Sequence, residues 1–206
     1  MENKLSRDKE ELILQAAQRR FAAYSYSKVT MDEIAEDIGM AKASLYYYFP
    51  TKEAIFRSVV QHEQEEFLAQ AKEVLAHNGS ACNKMVEYVR LRMKLTERLS
   101  NLSQIHQQGW HDVKPIFQEL FKTFIQHELQ YVTQILQEGK KSGEFHLEEP
   151  KKNASMILHV LQGLHLRFFQ GYDQQAINES EHELFEYETL LFVNTILLGL
   201  CKKLKH

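Results

Sequence analysis

The sequence predicts an all-α protein: an N-terminal three-helix helix-turn-helix domain, and a larger C-terminal helical bundle that forms a dimer through its last two helices. Three observations point there. The 206 residues include only 3 prolines and 8 glycines, with 44% hydrophobic side chains, a composition that favours long helices over many turns. Apolar side chains recur at three- and four-residue spacing, as in Ile13, Ala17, Phe21 and Tyr24, which marks one face of an amphipathic helix. Residues 30–52, TMDEIAEDIGMAKASLYYYFPTK, have the layout of two short helices joined by a tight turn.

Taken in chain order, the first helix spans about residues 7–24 and covers the two that follow. Thr30 and Glu33 form the S/T-x-x-E capping box of a helix start. Ile34 and Ile38 lie one turn apart on a face shared with the small Ala35, and Gly39 supplies a residue that tolerates positive φ in the turn. Leu45 and Phe49 repeat the four-residue spacing in the next helix, which Pro50 closes. A long helix then runs over about residues 51–77 to an Asn-Gly break, and another from beyond Ser80 to about Leu99, with Met85, Tyr88, Val89 and Met93 on its apolar side. A shorter helix is expected over 101–112, broken near Gly109, with Pro115 in the first turn of its successor and Gly143 ending that one. Two helices follow, over about 154–169 and 184–204.

With Leu45 and Phe49 turned inward, a step of about 100° per residue turns Ala43 and Tyr47 outward, flanked by Lys42, Ser44 and Tyr46. Small Ala43 and Ser44 let a helix backbone approach base edges, Lys42 reaches a guanine edge or a phosphate, and Tyr46 and Tyr47 offer hydroxyls. Lys52, in the first turn of the next helix, stands ready for a phosphate. An ordinary helical hairpin has the same inward packing needs, but not this outward face.

These residues resemble the TetR family of bacterial transcriptional regulators. The likeness rests on the opening helix ending in Phe21, on Tyr26, Thr30, Ile34-Ala35 and Gly39, and on Leu45-Tyr46-Tyr47-Tyr48-Phe49 followed by Lys52. Ser25, Ala43 and Tyr48 stand where the family often has glycine, glycine and histidine. The resemblance implies a helical homodimer whose N-terminal domain, here residues 1–52, binds double-stranded palindromic operator DNA, and whose C-terminal domain, 53–206, dimerises and binds an inducer. It makes Lys42 through Tyr47 the recognition surface, and Thr30 and Lys52 the phosphate anchors.

Charge adds little, because residues 1–52 carry eight basic and eight acidic side chains and the chain as a whole is −3. Affinity for DNA must come from where the cations point. Cys82 and Cys201 are far apart in sequence and no signal peptide precedes the first helix, so free thiols in a reducing cytoplasm are expected. The apolar segment 190–201 is too short for a bilayer and is interrupted by Asn194 and Thr195. No two histidines have the i, i+4 spacing of a helix-borne metal pair, and there is no Cys-x-x-Cys, phosphate loop or nucleophile elbow. No metal, cofactor or enzymatic activity is expected.

The last two helices are apolar on nearly every face, from Met156 to Phe168 and from Leu184 to Leu200, so each needs cover on more than one side. A second copy supplies that cover as a four-helix interface, although a monomeric bundle with these helices at its centre satisfies the same pattern. Between this interface and the helix-turn-helix, Met93, Trp110, His111, Phe117 and Phe121 are the candidates for a small-molecule pocket, with an apolar or aromatic effector implied. The resulting expectation is a repressor that binds a near-palindromic operator as a homodimer and is released by the effector. The alternative is a DNA-anchored interaction protein whose C-terminal helices bind a protein partner and not a small ligand.

Overall fold

A computed structural model describes the backbone of residues 2–102, 107–171 and 179–201. The described residues form eight helices and no strand: α1 (Glu2–Lys28), α2 (Met31–Asp37), α3 (Lys42–Tyr48), α4 (Lys52–Ala76), α5 (Ala81–Leu102), α6 (Gln107–Ser142), α7 (Pro150–Gly171) and α8 (Glu179–Cys201). They divide into two compact units, residues 1–66 with 97–122, and residues 67–96 with 123–206. The N-terminal segment 1–52 lies wholly in the first.

That first unit has one apolar core. Ile13, Ala17 and Phe21 of α1, Ile34 and Ala35 of α2, Leu45 of α3, Ile55, Phe56 and Val59 of α4, and Val113 and Ile116 of α6 are all buried. Aromatic rings join its parts: Phe56 meets Phe21 at 5.2 Å, Tyr26 at 5.0 Å and Phe117 at 5.7 Å, edge to face, an arrangement that adds stabilisation beyond the area buried. Tyr24, expected on the buried stripe of α1, is instead 56% exposed. There the guanidinium of Arg20 lies 5.6 Å from its ring. Ile38 is half-buried and caps the C-terminus of α2.

In the second unit Met85, Tyr88 and Val89 of α5 are buried, and the Phe67 ring meets Tyr88 at 5.7 Å and Phe124 of α6 at 5.4 Å. Within this apolar surround sits a polar triad. Glu128, 1% exposed, accepts from the Tyr88 hydroxyl at 2.8 Å and from Arg92 Nε at 2.7 Å. Lys84 ties three elements, donating to the Leu75 carbonyl and to Glu138, each at 2.8 Å. The turn after α6 uses Gly143 at φ +81° and folds Phe145 back onto Gly139, whose missing Cβ leaves room for that ring and for Ala81.

Three expectations change. Gly109 does not break a helix, nor does Pro115 begin one: both lie inside the continuous α6. Burial of Val113, Ile116 and Phe117 on one stripe holds that helix together around the proline, which removes one backbone hydrogen bond and crowds the preceding turn. Cys82 and Cys201, distant in sequence, are neighbours with sulfurs 3.9 Å apart. Finally, the helical segment Glu183–Cys201, 19 residues, is long and apolar enough by composition to cross a membrane, because the helix starts well before the run beginning at Leu190. One side of it, at Thr189, Val193 and Leu197, is packed into the protein.

Candidate nucleic-acid interface

The geometry of 30–52 is set by caps and clamps. Thr30 is the N-cap of α2, in extended conformation with a complete capping box. Its backbone N–H donates to Glu33 Oε2 at 2.8 Å and its hydroxyl accepts from the Glu33 N–H at 3.3 Å, satisfying two of the donors a helix start leaves open. Arg20 of α1 grips the far end of α2, donating to both Asp37 carboxylate oxygens at 2.6 and 2.7 Å. That fork holds the Asp37 carboxyl below its ordinary range and holds the Arg20 guanidinium above its own. Gly39 turns the chain at φ +61°, and the Met40 N–H closes onto the Ala35 carbonyl at 2.9 Å.

α3 then presents two unlike faces. Leu45 is fully buried and Phe49, its C-cap, is 9% exposed. Opposite them Lys42, Ala43, Ser44, Tyr46 and Tyr47 all face solvent. Tyr47 is 84% exposed, its ring braced edge-on by Tyr48 at 5.4 Å, and Tyr48 is half-buried as its inward position requires. Lys42 reaches Asp32 at 2.7 Å with both side chains about 60% exposed, so water and salt screen the pair. The hydrogen bond to Asp32 keeps the ammonium charged by raising its proton affinity.

Lys52 is placed differently from its neighbours in the motif. Its ammonium donates to the carbonyls of Tyr26 at 2.8 Å and Val29 at 2.9 Å, and sits 4.5 Å from the centre of the Tyr26 ring. Carbonyls at the end of α1 carry partial negative charge, and Lys52 satisfies them from the start of α4. Neither this cradle nor the Arg20–Asp37 fork carries a sequence signal, since their partners lie 17 to 26 residues apart and no periodicity links them.

The effector candidates do not assemble so clearly. Phe117 is 8% exposed, stacked in the aromatic chain with Phe56 and, at 5.9 Å, with Phe121, so it serves the core of the first unit. Met93 is half-buried on α5 in the second unit. The side chains of Trp110 and His111 lie outside the described residues. A cavity of about 360 Å³ in the first unit is lined by Glu11, Leu14, Gln15, Gln18, Val59, His62, Glu63, Glu66 and Arg98, none of them among those candidates. Gln18 and Arg98 both donate to Glu63 there. Among the described residues no cluster of His, Cys, Asp or Glu could hold a metal ion.

Comparison with known proteins places this geometry. A family model for bacterial regulatory proteins of the tetR family matches residues 13–59, the segment from the buried Ile13 through α2 and α3 into α4. The HTH-type transcriptional regulator RutR of Escherichia coli (strain K12) is 29% identical over 97 residues, 47% of this chain and 45% of the relative, so the match spans under half the length of that curated protein. The crystal structure of a transcriptional regulator from Cytophaga hutchinsonii ATCC 33406 is 35% identical, covers 94% of this chain and 99% of its own, and superposes with a TM-score of 0.86. A candidate transcriptional regulator from Saccharomonospora viridis, solved in complex with choline, shares the fold at 17% identity and a TM-score of 0.74, over 95% of this chain and 99% of its own. With the family pattern seated on a helix-turn-helix and near-complete coverage of a regulator more than 30% identical, the chain belongs to the TetR family of bacterial transcriptional regulators.

Proposed function

We propose that the chain is a repressor that binds a near-palindromic operator as a homodimer and is released by a small-molecule effector. The observation that carries the DNA reading is the two-sided α3: Leu45 fully buried, and Tyr47, two residues on, 84% exposed. A seven-residue helix that holds a large aromatic out in water, with small Ala43 and Ser44 and a charged Lys42 beside it, suits the major groove, where close approach and directed hydrogen bonds read base edges. Lys42 and Thr30 serve phosphates, Ala43 and Ser44 admit the backbone, and Tyr46 and Tyr47 contact bases or phosphates. Lys52 acts first as the tie between the end of α1 and the start of α4.

The dimer reading rests on apolar side chains left exposed in a single chain: Met156 on α7 and Leu184, Tyr187, Leu191 and Leu198 on α8, all more than half exposed. A second copy covers them and sets two reading heads side by side. A cytoplasmic location follows from this function. For release, the effector must bind the DNA-free form better than the bound form, because equal affinity shifts nothing. A neighbour of this fold holds choline, which supports a fold that admits a small ligand. Within the first unit, the ring contacts Phe117–Phe56–Phe21 link α6 to α4 and α1, so a shift of α6 reaches the helices that carry the reading head.

The test is a titration of the chain against DNA upstream of its own coding sequence at several salt concentrations. Binding should weaken steeply with salt and fall at least about tenfold, or 1.4 kcal/mol, in Tyr47→Ala. Full affinity in Tyr47→Ala and Lys42→Ala together would overturn the site.

A further inference from the structure

We propose that Cys82 and Cys201 form a reversible intramolecular disulfide when the protein meets a hydroperoxide, making this pair an oxidative modification site. The two sulfurs are 3.9 Å apart although 119 residues separate them in sequence. Both are free thiols, and a bond of about 2.04 Å requires the sulfurs to close by roughly 1.9 Å. The approach is built by the backbone on each side. Glu144 accepts from the Ala81 and Cys82 N–H groups at 3.0 and 3.1 Å, fixing the start of α5 to the turn after α6. Two residues along the same turn, the His146 N–H donates to the Leu200 carbonyl at 2.8 Å, fixing the end of α8. One short segment therefore positions both cysteines.

The environments of the two thiols differ, and that assigns their roles. Cys201 is exposed, one helical turn beyond the buried Leu197. Cys82 is half-buried. Burial first, and then the neighbouring Cys201 and Glu144, push its thiol up to about 12, so it stays protonated. Attack on the peroxide belongs to Cys201, since the thiolate is the nucleophile and needs access. Its sulfur bonds to one peroxide oxygen, the O–O bond breaks, and the second oxygen leaves as water or an alcohol. Cys82 sulfur then bonds to the sulfenic sulfur of Cys201. The S–O bond breaks and the hydroxyl leaves as water, carrying the proton that the Cys82 thiol gives up. Two electrons pass from the thiol pair to the peroxide, and an external dithiol restores both cysteines.

The experiment treats the full chain with hydrogen peroxide, quenches with iodoacetamide and measures intact mass, linked peptides and thermal melting. The expected product is a single chain lighter by two hydrogens, with the peptides of Cys82 and Cys201 joined, a raised melting temperature, and full reversal by dithiothreitol. In Cys82→Ser, Cys201 should stop at sulfenic acid and be trapped by dimedone; in Cys201→Ser, Cys82 should remain alkylatable after unfolding. Two surviving thiols under excess peroxide, a disulfide joining two chains, or equal oxidation of Cys82 in Cys201→Ser would each overturn the proposal. No readout depends on DNA binding.

Discussion

Glu128→Gln should cost the protein a large share of its stability. The carboxylate is 1% exposed and receives Arg92 and Tyr88 at 2.7 and 2.8 Å, while burial and the adjacent carboxylate push the Tyr88 phenol well above its ordinary range. An amide of the same shape still fills the space and, with its oxygen where Oε1 stands, still accepts both hydrogen bonds. It leaves the Arg92 cation without a counter-charge, and breaking a buried pair from one side costs about 3–5 kcal/mol. For a chain of this size about 1 kcal/mol moves the melting temperature by 2–4 °C, so the expected fall is on the order of 10 °C. Circular dichroism melts and urea titrations of Glu128→Gln, Arg92→Met and the double variant measure it. The double variant should recover most of the loss, because removing both charges also removes the desolvation penalty. A loss below about 1 kcal/mol in Glu128→Gln, typical of a surface change, would contradict the picture of a desolvated pair.

Other expectations are simpler to state. At Gly39, φ is +61° and an added Cβ would meet nothing within 4 Å, so Gly39→Ala should cost about 1 kcal/mol of backbone strain alone and Gly39→Asn less, read by urea unfolding. Because Arg20 holds the Asp37 carboxyl below its ordinary range, its stabilisation is full above the unfolded value of about 3.9 and is lost as pH falls through the lower folded value. Acid unfolding of Asp37→Asn should therefore be shallower below about pH 4. Leu191→Asp, on the exposed apolar face of α8, should leave the chain folded and shift sedimentation from dimer to monomer; a dimer that survives it would contradict the α8 interface.

What the sequence revealed and what it concealed follow from range. The capping box at Thr30 and Glu33, the turn at Gly39 and the inward pair Leu45 and Phe49 are local patterns, and each stands in the structure as its spacing implies. The outward residues of α3 followed from the same geometry. Pro115 misled because proline at a first turn and proline inside a helix look alike in sequence, and only the buried stripe around it decides. The tie of Lys52 to the end of α1, the fork of Arg20 on Asp37, the Tyr88–Arg92–Glu128 triad and the Cys82–Cys201 contact all join residues distant in sequence. No periodicity marks such pairs. Phe117, a candidate pocket residue by its sequence, is buried among aromatic rings, and aromatic side chains at helical spacing serve core and pocket alike.

The most direct measurement is a footprint of the protein on DNA upstream of its own coding sequence, followed by the same footprint with Tyr47→Ala. Two protected half-sites related by dyad symmetry, their centres one helical repeat of about 10 base pairs or a multiple of it apart, should appear with the natural chain and vanish with the variant, which should still fold because Tyr47 is 84% exposed. Protection without symmetry, or unchanged in Tyr47→Ala, would contradict a homodimer that reads DNA through α3.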